Sequence, residues 1–446
     1  MNRLSEKLIN AVKCDLKPSL GVTEPGAIAY AAATAARALD GRVKRVTVRA
    51  NSGVYKNSFT CFVPGTDGMG CELAAALGAV AGDPERKLMA TEGASAEAVS
   101  EAKRLVAEGL ATAELISLSP DIRIEAEVET ENGTASALIE GRHDRITKLT
   151  VNGSVSVFGE SEESSRETGF TVSSVAFGDI VACADEAEDI GFVDFAAEMN
   201  MELYREGSIN GLTPLTEARH GCMRSGTDSA KELSDLFTCG AIEARVRGAN
   251  SPAMAITGSG SHGILCTLPV WETARFYGIS DEERRKALLL SMLVTMYIKE
   301  NSGLLSTACG CVLAGGTGAC LGITYLLARN GTGTEKPVSG RNELVGMLTD
   351  ALNSMAASVT GMICHGGNTG CSLKASVGVS MAFSAAEMAL KGRGAESVHG
   401  ILGASAEATM RNMGAIASSM RAVEGDILRI MQAKKAATST DGRQEK

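Results

Sequence analysis

Four cysteines in two short segments carry the strongest chemical signal in this 446-residue sequence. Cys309 and Cys311 end the run Leu304-Leu-Ser-Thr-Ala-Cys309-Gly-Cys311. Cys364 and Cys371 lie seven residues apart in Gly361-Met-Ile-Cys364-His365-Gly-Gly-Asn-Thr-Gly-Cys371-Ser-Leu-Lys374, with three glycines between them. Thiolates drawn from two separated segments, each flanked by glycines that let backbone approach closely, are what an iron–sulfur cluster asks of a protein. Neither pair has the CxxC spacing of a structural zinc site. The plain alternative is that they are buried small hydrophobes, which free cysteines often are, and spacing alone leaves both open.

A second group of residues has the types needed to bind an anion and move a proton. Gly258-Ser-Gly260-Ser-His-Gly263 formally matches GxGxxG, but no βαβ unit surrounds it, so a dinucleotide site is a poor reading. A loop whose amides and hydroxyls (Thr257, Ser259, Ser261) cradle a carboxylate fits better, with a simple tight turn as the alternative. His262 and His365 stand beside glycine-rich polar motifs, and histidine is the side chain best suited to move a proton near neutral pH. Lys56, Arg245 and Lys374 sit in similar company, although isolated basic residues are usually just solvated.

The elements that must position these residues can be read coarsely. Residues 3–14 read as a helix, Ala27–Leu39 as a buried alanine-rich helix with Pro25 in its first turn, and Cys71–Ala81 and Ser95–Gly109 as further helices. Alternation makes Arg42–Ala50 and Ser58–Val63 strands, with 51–57 a polar loop between them. Ile122–Val128, Thr134–Glu140 and Ile146–Val151 form a β-meander through Asn-Gly turns. Residues 159–173 read as an exposed acidic loop and Phe177–Tyr204 as helical. From about 230 onward helix follows helix. The expected fold class is α+β: a mixed α/β domain over 1–225 with substrate loops, an all-helical domain over 226–436 carrying the cysteines, and a disordered tail over 437–446.

Composition narrows the function classes. With 44% hydrophobic and 22% charged residues the chain reads as an ordinary globular protein. A net charge of −10 without a Lys/Arg run argues against nucleic acid or an anionic membrane as partner and points to small molecules. Twelve cysteines without a framework spacing suggest a reducing compartment, and the mixed-charge start lacks the pattern of a secretory signal, so a cytoplasmic protein is expected. Leu304–Ala328 is apolar but rich in Gly, Thr, Ser and Cys, which favours a buried helix pair over a membrane span. Small-residue helices make a homodimer plausible.

Taken in order, several motifs resemble one family. They are Leu20-Gly-Val-Thr-Glu-Pro25, Lys56-Asn57 with Pro64-Gly65-Thr66, Glu243-Ala-Arg245 with Ser251-Pro-Ala-Met254, Gly258–Gly263, Leu305-Ser-Thr-Ala-Cys309, and Gly361-Met-Ile-Cys364 with Cys371 and Lys374. Over nearly the whole chain the sequence is similar to the L-cysteine desulfidase family, itself related to the α-domain of iron–sulfur L-serine dehydratases. The resemblance implies a [4Fe-4S] lyase that eliminates a β-substituent from a small L-amino acid without pyridoxal phosphate. On it, Cys309, Cys364 and Cys371 are the cluster ligands, with Cys311 a second choice. The Thr257–Gly263 loop holds the substrate carboxylate, Lys56, Asn57 and Arg245 lie nearby, and His262, His365 and Lys374 are the acid–base candidates, His262 first as base. Three thiolates leave one iron open as a Lewis acid.

Three departures stand out. The usual Gly-Cys-Thr-Glu-Pro turn has Val22 for its cysteine, the usual Asn-Gln after Gly-Ser-Gly is Ser261-His262, and the usual Asp after Cys364 is His365. Valine neither ligates iron nor exchanges a proton. Either that thiol is dispensable, or a histidine has its role, or the substrate is not cysteine. The alternatives are a dehydratase or lyase for another small amino or hydroxy acid such as L-serine, a non-catalytic amino-acid-binding relative, and zinc in place of the cluster.

Overall fold

Strand alternation builds the first half of the molecule, which was analysed as a computed structural model describing residues 2–158, 170–223 and 229–441. In β4 (Arg123–Thr130) Ile124, Ala126 and Val128 are buried, while the glutamates between them are partly exposed. In β5 (Gly133–Glu140) Ala135, Ala137 and Ile139 repeat the pattern of a sheet with one covered face. With β2 (Val43–Ala50), β3 (Ala111–Leu115), β6 (Ile146–Val151) and β7 (Ser154–Val157) they make a six-stranded sheet in the order β3-β2-β4-β5-β6-β7. β2 and β3 run parallel; the other neighbours are antiparallel. On the open face Arg49 links β3 and β4 through Glu114 and Glu127.

The covered face is packed by α2 (Thr23–Arg37) and α4 (Cys71–Ala81). Their alanines and glycines allow backbone contact: a Cβ on Gly78 would lie 2.3 Å from the Ala29 carbonyl oxygen. α5 (Ala96–Ala107), capped by Ser95, packs outside α4.

The second core is helical. It joins α1 (Arg3–Asp15), α6 (Phe177–Asp185), α7 (Phe192–Ile209), α9 (Ala230–Val246), α10 (Gly260–Tyr277), α11 (Asp281–Ser302), α12 (Thr317–Asn330), α13 (Arg341–Val359), α14 (Gly370–Leu390) and α15 (Ala406–Ser419); α8 (Pro214–Met223) packs on α9. The stretch Cys311–Asn330 is long and apolar enough to cross a membrane, and 94% of its most apolar window is buried inside the molecule. α16 (Arg421–Asp441) crosses back to the first half, where Leu428 joins the sheet's core. The α+β class holds, with the sheet in the first half and helices through the second.

Several local readings are corrected. Residues 51–57 are not a loop, and Ser58–Val63 is not a strand: Ser52–Ser58 forms a short helix, α3, and the strand pattern shrinks to one bridge, Phe62↔Met69. A Cβ on Gly53 would sit 2.7 Å from Leu305 Cβ, so α3 is shaped by packing against the cysteine segment rather than by propensity. Two short strands went unread, β1 (Lys17–Leu20) and β8 (Pro252–Ala255), which pair antiparallel. The glycine-rich stretch opens helix α10, which carries Pro269 inside it. Residues 159–169 of the expected acidic loop, and 442–446 of the expected tail, lie outside the described residues.

α10 packs so close to β8 that a Cβ on Gly263 would lie 1.9 Å from the Met254 carbonyl oxygen. Backbone cannot swing aside as a side chain can, so Gly263→Ala is expected to cost about 1–3 kcal/mol. Calorimetry checks this, and an unchanged melting midpoint would refute the contact.

Candidate functional site

The β1–β8 ladder sets two helix starts side by side. Leu20 pairs with Pro252; from there one chain turns into α2 at Thr23-Glu24-Pro25, and the other, after Ala255, turns into α10 at Gly260. Neither Val22 nor Ser259 caps its helix with a side chain, so backbone N–H groups remain at both starts with the positive ends of the helix dipoles. Arg245, in the last turn of α9, ties the two together by donating to Ser261 Oγ (2.8 Å) and Thr23 Oγ1 (3.1 Å). A Cβ on Gly260 would lie 2.6 Å from Arg245 Nε, so this glycine makes room for the guanidinium. Backbone N–H groups and a buried guanidinium thus converge, an arrangement that can hold an anion.

The turn into α10 is strained. Thr257 (φ 51°) and Gly258 (φ 75°) are consecutive left-handed residues, closed by Ile256 and Ser259 bonding to each other in both directions, as in a primed hairpin turn. A β-branched residue is disfavoured there. Thr257 is held by its N–H to the Asp15 carboxylate and by its hydroxyl to the Ile256 carbonyl (2.7 Å). That hydroxyl is also 2.7 Å from His262 Nδ1. Since its one proton goes to Ile256, Nδ1–H is the donor in the second contact and Nε2 carries the lone pair. Burial, with Lys299 and Arg245 nearby, holds the His262 pKa well below the usual histidine value, so the ring is neutral.

The two cysteine segments meet as a miniature antiparallel ladder. Ala308 bridges Ile363, Cys309 N–H donates to Met362 O (2.7 Å), and Cys364 N–H donates to Thr307 O (2.7 Å). In this register Cys309 and Cys364 fall on the same face. Cys371 comes from the first turn of α14, and Cys311 opens a π-turn over Cys311–Gly316 that runs on into α12, a helix irregularity frequent at functional sites. The Cys311 S–H bonds to Cys309 and pulls that thiol's pKa down, while the same bond holds Cys311 up. Burial, reinforced by Cys364, pushes the Cys371 thiol up to about 12.

The remaining sequence candidates divide between this cluster and its surroundings. Asn57 links Cys364 Sγ (3.7 Å to Oδ1) with Glu24 Oε1 (2.8 Å from Nδ2). Lys56 is 1% exposed and pairs with Glu424 of α16 at 3.3 Å; Glu424 also accepts from Thr307 Oγ1 at 3.2 Å. Lys374, half-exposed, donates to Ile363 O (2.7 Å) and so braces the ladder from outside. His365 lies within its own turn, with Nδ1 3.1 Å from the Asn368 amide nitrogen. Ser261 is spent on Arg245, and Ser259 stands half-buried at the start of α10.

Four residues of the site escaped the sequence reading. Lys299 of α11 is 2% exposed, and burial lowers its pKa to about 8 against the opposing pull of Cys311, Cys364, Cys309 and Glu24. A Cβ on Gly310 would lie 2.6 Å from His262 Nε2 and 3.1 Å from Lys299 Nζ, so both nitrogens approach the chain between Cys309 and Cys311. Glu24 and His143, the latter from the β5–β6 turn, lie 3.8 Å apart and are both buried. Cys61 is buried against Val22 and Val246, with Cys371 packed beside them. A buried thiol therefore adjoins Val22.

Among the described residues no group of three or more His, Cys, Asp and Glu is placed to hold a metal ion. Cys309, Cys311, Cys364 and Cys371, the thiols a cluster would need, are near enough to perturb one another's ionisation. The buried Lys299 and Arg245 lie near enough to these cysteines for their charges to interact.

Two helix starts tied by Arg245, the gathered thiols and the buried Lys299 and His262 adjoin one another. The sequence matches the serine dehydratase alpha chain family over residues 85–429, and the chain belongs to that family. It is 35% identical to a UPF0597 protein of Clostridium botulinum, over 95% of this chain and 98% of that one. Similar proteins of that name occur in Nitratidesulfovibrio vulgaris (33% identical, 94% and 97% covered) and Geobacter sulfurreducens (32% identical, 96% and 98% covered).

Proposed function

We propose that this protein is a lyase that eliminates the β-substituent of a small L-amino acid, with Cys309, Cys364 and Cys371 holding a [4Fe-4S] cluster and Cys311 donating a hydrogen bond to Cys309. L-cysteine, giving pyruvate, ammonia and sulfide, is the first substrate to test; L-serine is the second. The supporting observation is the Ala308↔Ile363 pairing, which brings the two cysteine segments together beside the anion site. When bound, a cluster with three protein thiolates supplies one iron as a Lewis acid for the leaving group.

The chain's own residues supply the rest. The α10 amides and Arg245 bind the substrate carboxylate and fix its orientation. A base takes the Cα proton as the β-bond breaks, and the aminoacrylate released tautomerises and hydrolyses to pyruvate and ammonia. His262 is the base that the sequence suggests, but its depressed pKa makes it a weak one. Lys299, at about 8, is better matched to the task. In this reading Lys299 removes the proton and His262 Nε2 orients its amine.

Anaerobic purification followed by iron, sulfide and pyruvate assays tests the proposal, with L-cysteine, L-serine, L-threonine and their D-isomers as substrates. Bound iron with inorganic sulfide, and pyruvate from an L-isomer, are expected; protein without iron and sulfide would end the cluster assignment. A second reading, a non-catalytic amino-acid binder, is favoured by the apolar Val22 at the start of α2. A binder would gain thermal stability from its ligand and form no pyruvate.

A further inference from the structure

Among the described residues, Glu24 is a buried carboxylate without a full cationic partner. It is 5% exposed, and its Oε1 accepts from Asn57 Nδ2 at 2.8 Å. The nearest basic group is His143 Nε2 at 3.8 Å, beyond hydrogen-bond range. Arg245 is close enough to feel the Glu24 charge, yet its terminal nitrogens are committed to Ser261 and Thr23. Lys56 is committed to Glu424. Leaving a carboxylate buried in this way is costly unless something else completes its coordination.

Two further polar atoms around it are unsatisfied. His143 is 5% exposed and its Nε2 has no hydrogen-bond partner among the described residues; Arg245 is 3% exposed and its Nε has none there either. Native proteins rarely leave such atoms unpaired, and those that do usually await a ligand, ion or water. The His143 ring is seated against the strained turn, since a Cβ on Gly258 would lie 3.1 Å from His143 Nδ1. The β5–β6 hairpin of the sheet therefore delivers this histidine to the start of α10. Burial holds the His143 pKa below the usual histidine value, so the ring is neutral and has a lone pair to offer.

We infer that Glu24 and His143 form the subsite for the α-ammonium group of the ligand, so that the site selects α-amino acids over α-hydroxy acids of the same size. This deepens the reading of the site as one for a small L-amino acid, by assigning the residues that recognise its amino group, and rests on it. An ammonium between the two residues donates one N–H to Glu24 Oε1 and another to His143 Nε2, and brings the positive charge that Glu24 lacks. The carboxylate of the same molecule turns to Arg245 Nε and the α10 amides. A neutral hydroxyl in the same place can bond to either residue but leaves the carboxylate charge uncompensated.

Calorimetric titration of the anaerobically purified full chain tests this with L-serine, L-glycerate and 3-hydroxypropanoate, which differ only in the group at Cα. L-serine is expected to bind about 10- to 100-fold tighter than L-glycerate. Glu24→Gln should erase most of that preference and leave 3-hydroxypropanoate binding unchanged; His143→Gln should weaken L-serine by a smaller factor. Equal binding of L-serine and L-glycerate by the wild type, a comparison that needs no variant, overturns the subsite alone, as does a Glu24→Gln protein that loses all three ligands equally. If the wild type binds none of the three, the amino-acid reading falls and the subsite with it.

Discussion

Lys299→Met is expected to lower turnover of the best substrate by about 10²- to 10⁴-fold, the range for loss of a positioned proton-transfer group. The fold should survive, because the buried amine carries a desolvation penalty that an apolar chain of similar length does not. The pH profile gives the sharper reading. Only the uncharged amine can take a proton, and with its pKa lowered from 10.5 to about 8, kcat/KM should rise with pH through about 8. The same shift makes the unfolded chain bind more protons than the folded one between about 8 and 10.5. Stability should therefore climb with pH across that window in the wild type and lose this component in Lys299→Met. His262→Ala, which removes the orienting ring, should cost less. Full turnover in Lys299→Met would sink the assignment, and a larger loss in His262→Ala would return the role of base to the histidine.

The largest effect on stability is expected from Glu424→Ala. Glu424 reaches from α16 to the buried Lys56 and Thr307, and its removal leaves the Lys56 charge without a counter-ion in a dry environment. Breaking such a pair from one side costs about 3–5 kcal/mol. The double replacement Lys56→Met with Glu424→Leu should recover most of that, because both charges go together. Denaturant titration of the three proteins closes the cycle, and additive losses in the double variant would show that the pair is not coupled. Thr307 pairs across the ladder with Cys364, so Glu424→Ala should also loosen the cysteine site, visible as reduced iron retention if the cluster assignment holds.

Local pattern made part of this legible. The alternation of Ile124, Ala126 and Val128, repeated at Ala135, Ala137 and Ile139, marks strands with one covered face, and those strands are present. α2 and α4 announce themselves by alanine runs between turn signals, and α11 by length and an acidic first turn. Elsewhere packing overrode pattern. The stretch 51–57 looks like a polar loop but is helical from Ser52, with Gly53 packed closely against Leu305. Thr257–Gly263 looks like an extended anion loop but spends only two left-handed residues, Thr257 and Gly258, on its turn before α10 begins.

By itself the sequence determined the inventory: an α+β chain, two glycine-flanked cysteine segments, and a run of motifs in family order. These depend on residue type and short spacing, which a linear chain states directly. Only the tertiary structure decided which groups lose their water. Lys299 sits on a helix like any other lysine, Glu24 in a helix's first turn, and His143 in a hairpin turn. Each becomes chemically distinct because segments more than a hundred residues apart close over it, and the free energy of a buried charge depends on that enclosure rather than on its neighbours in sequence.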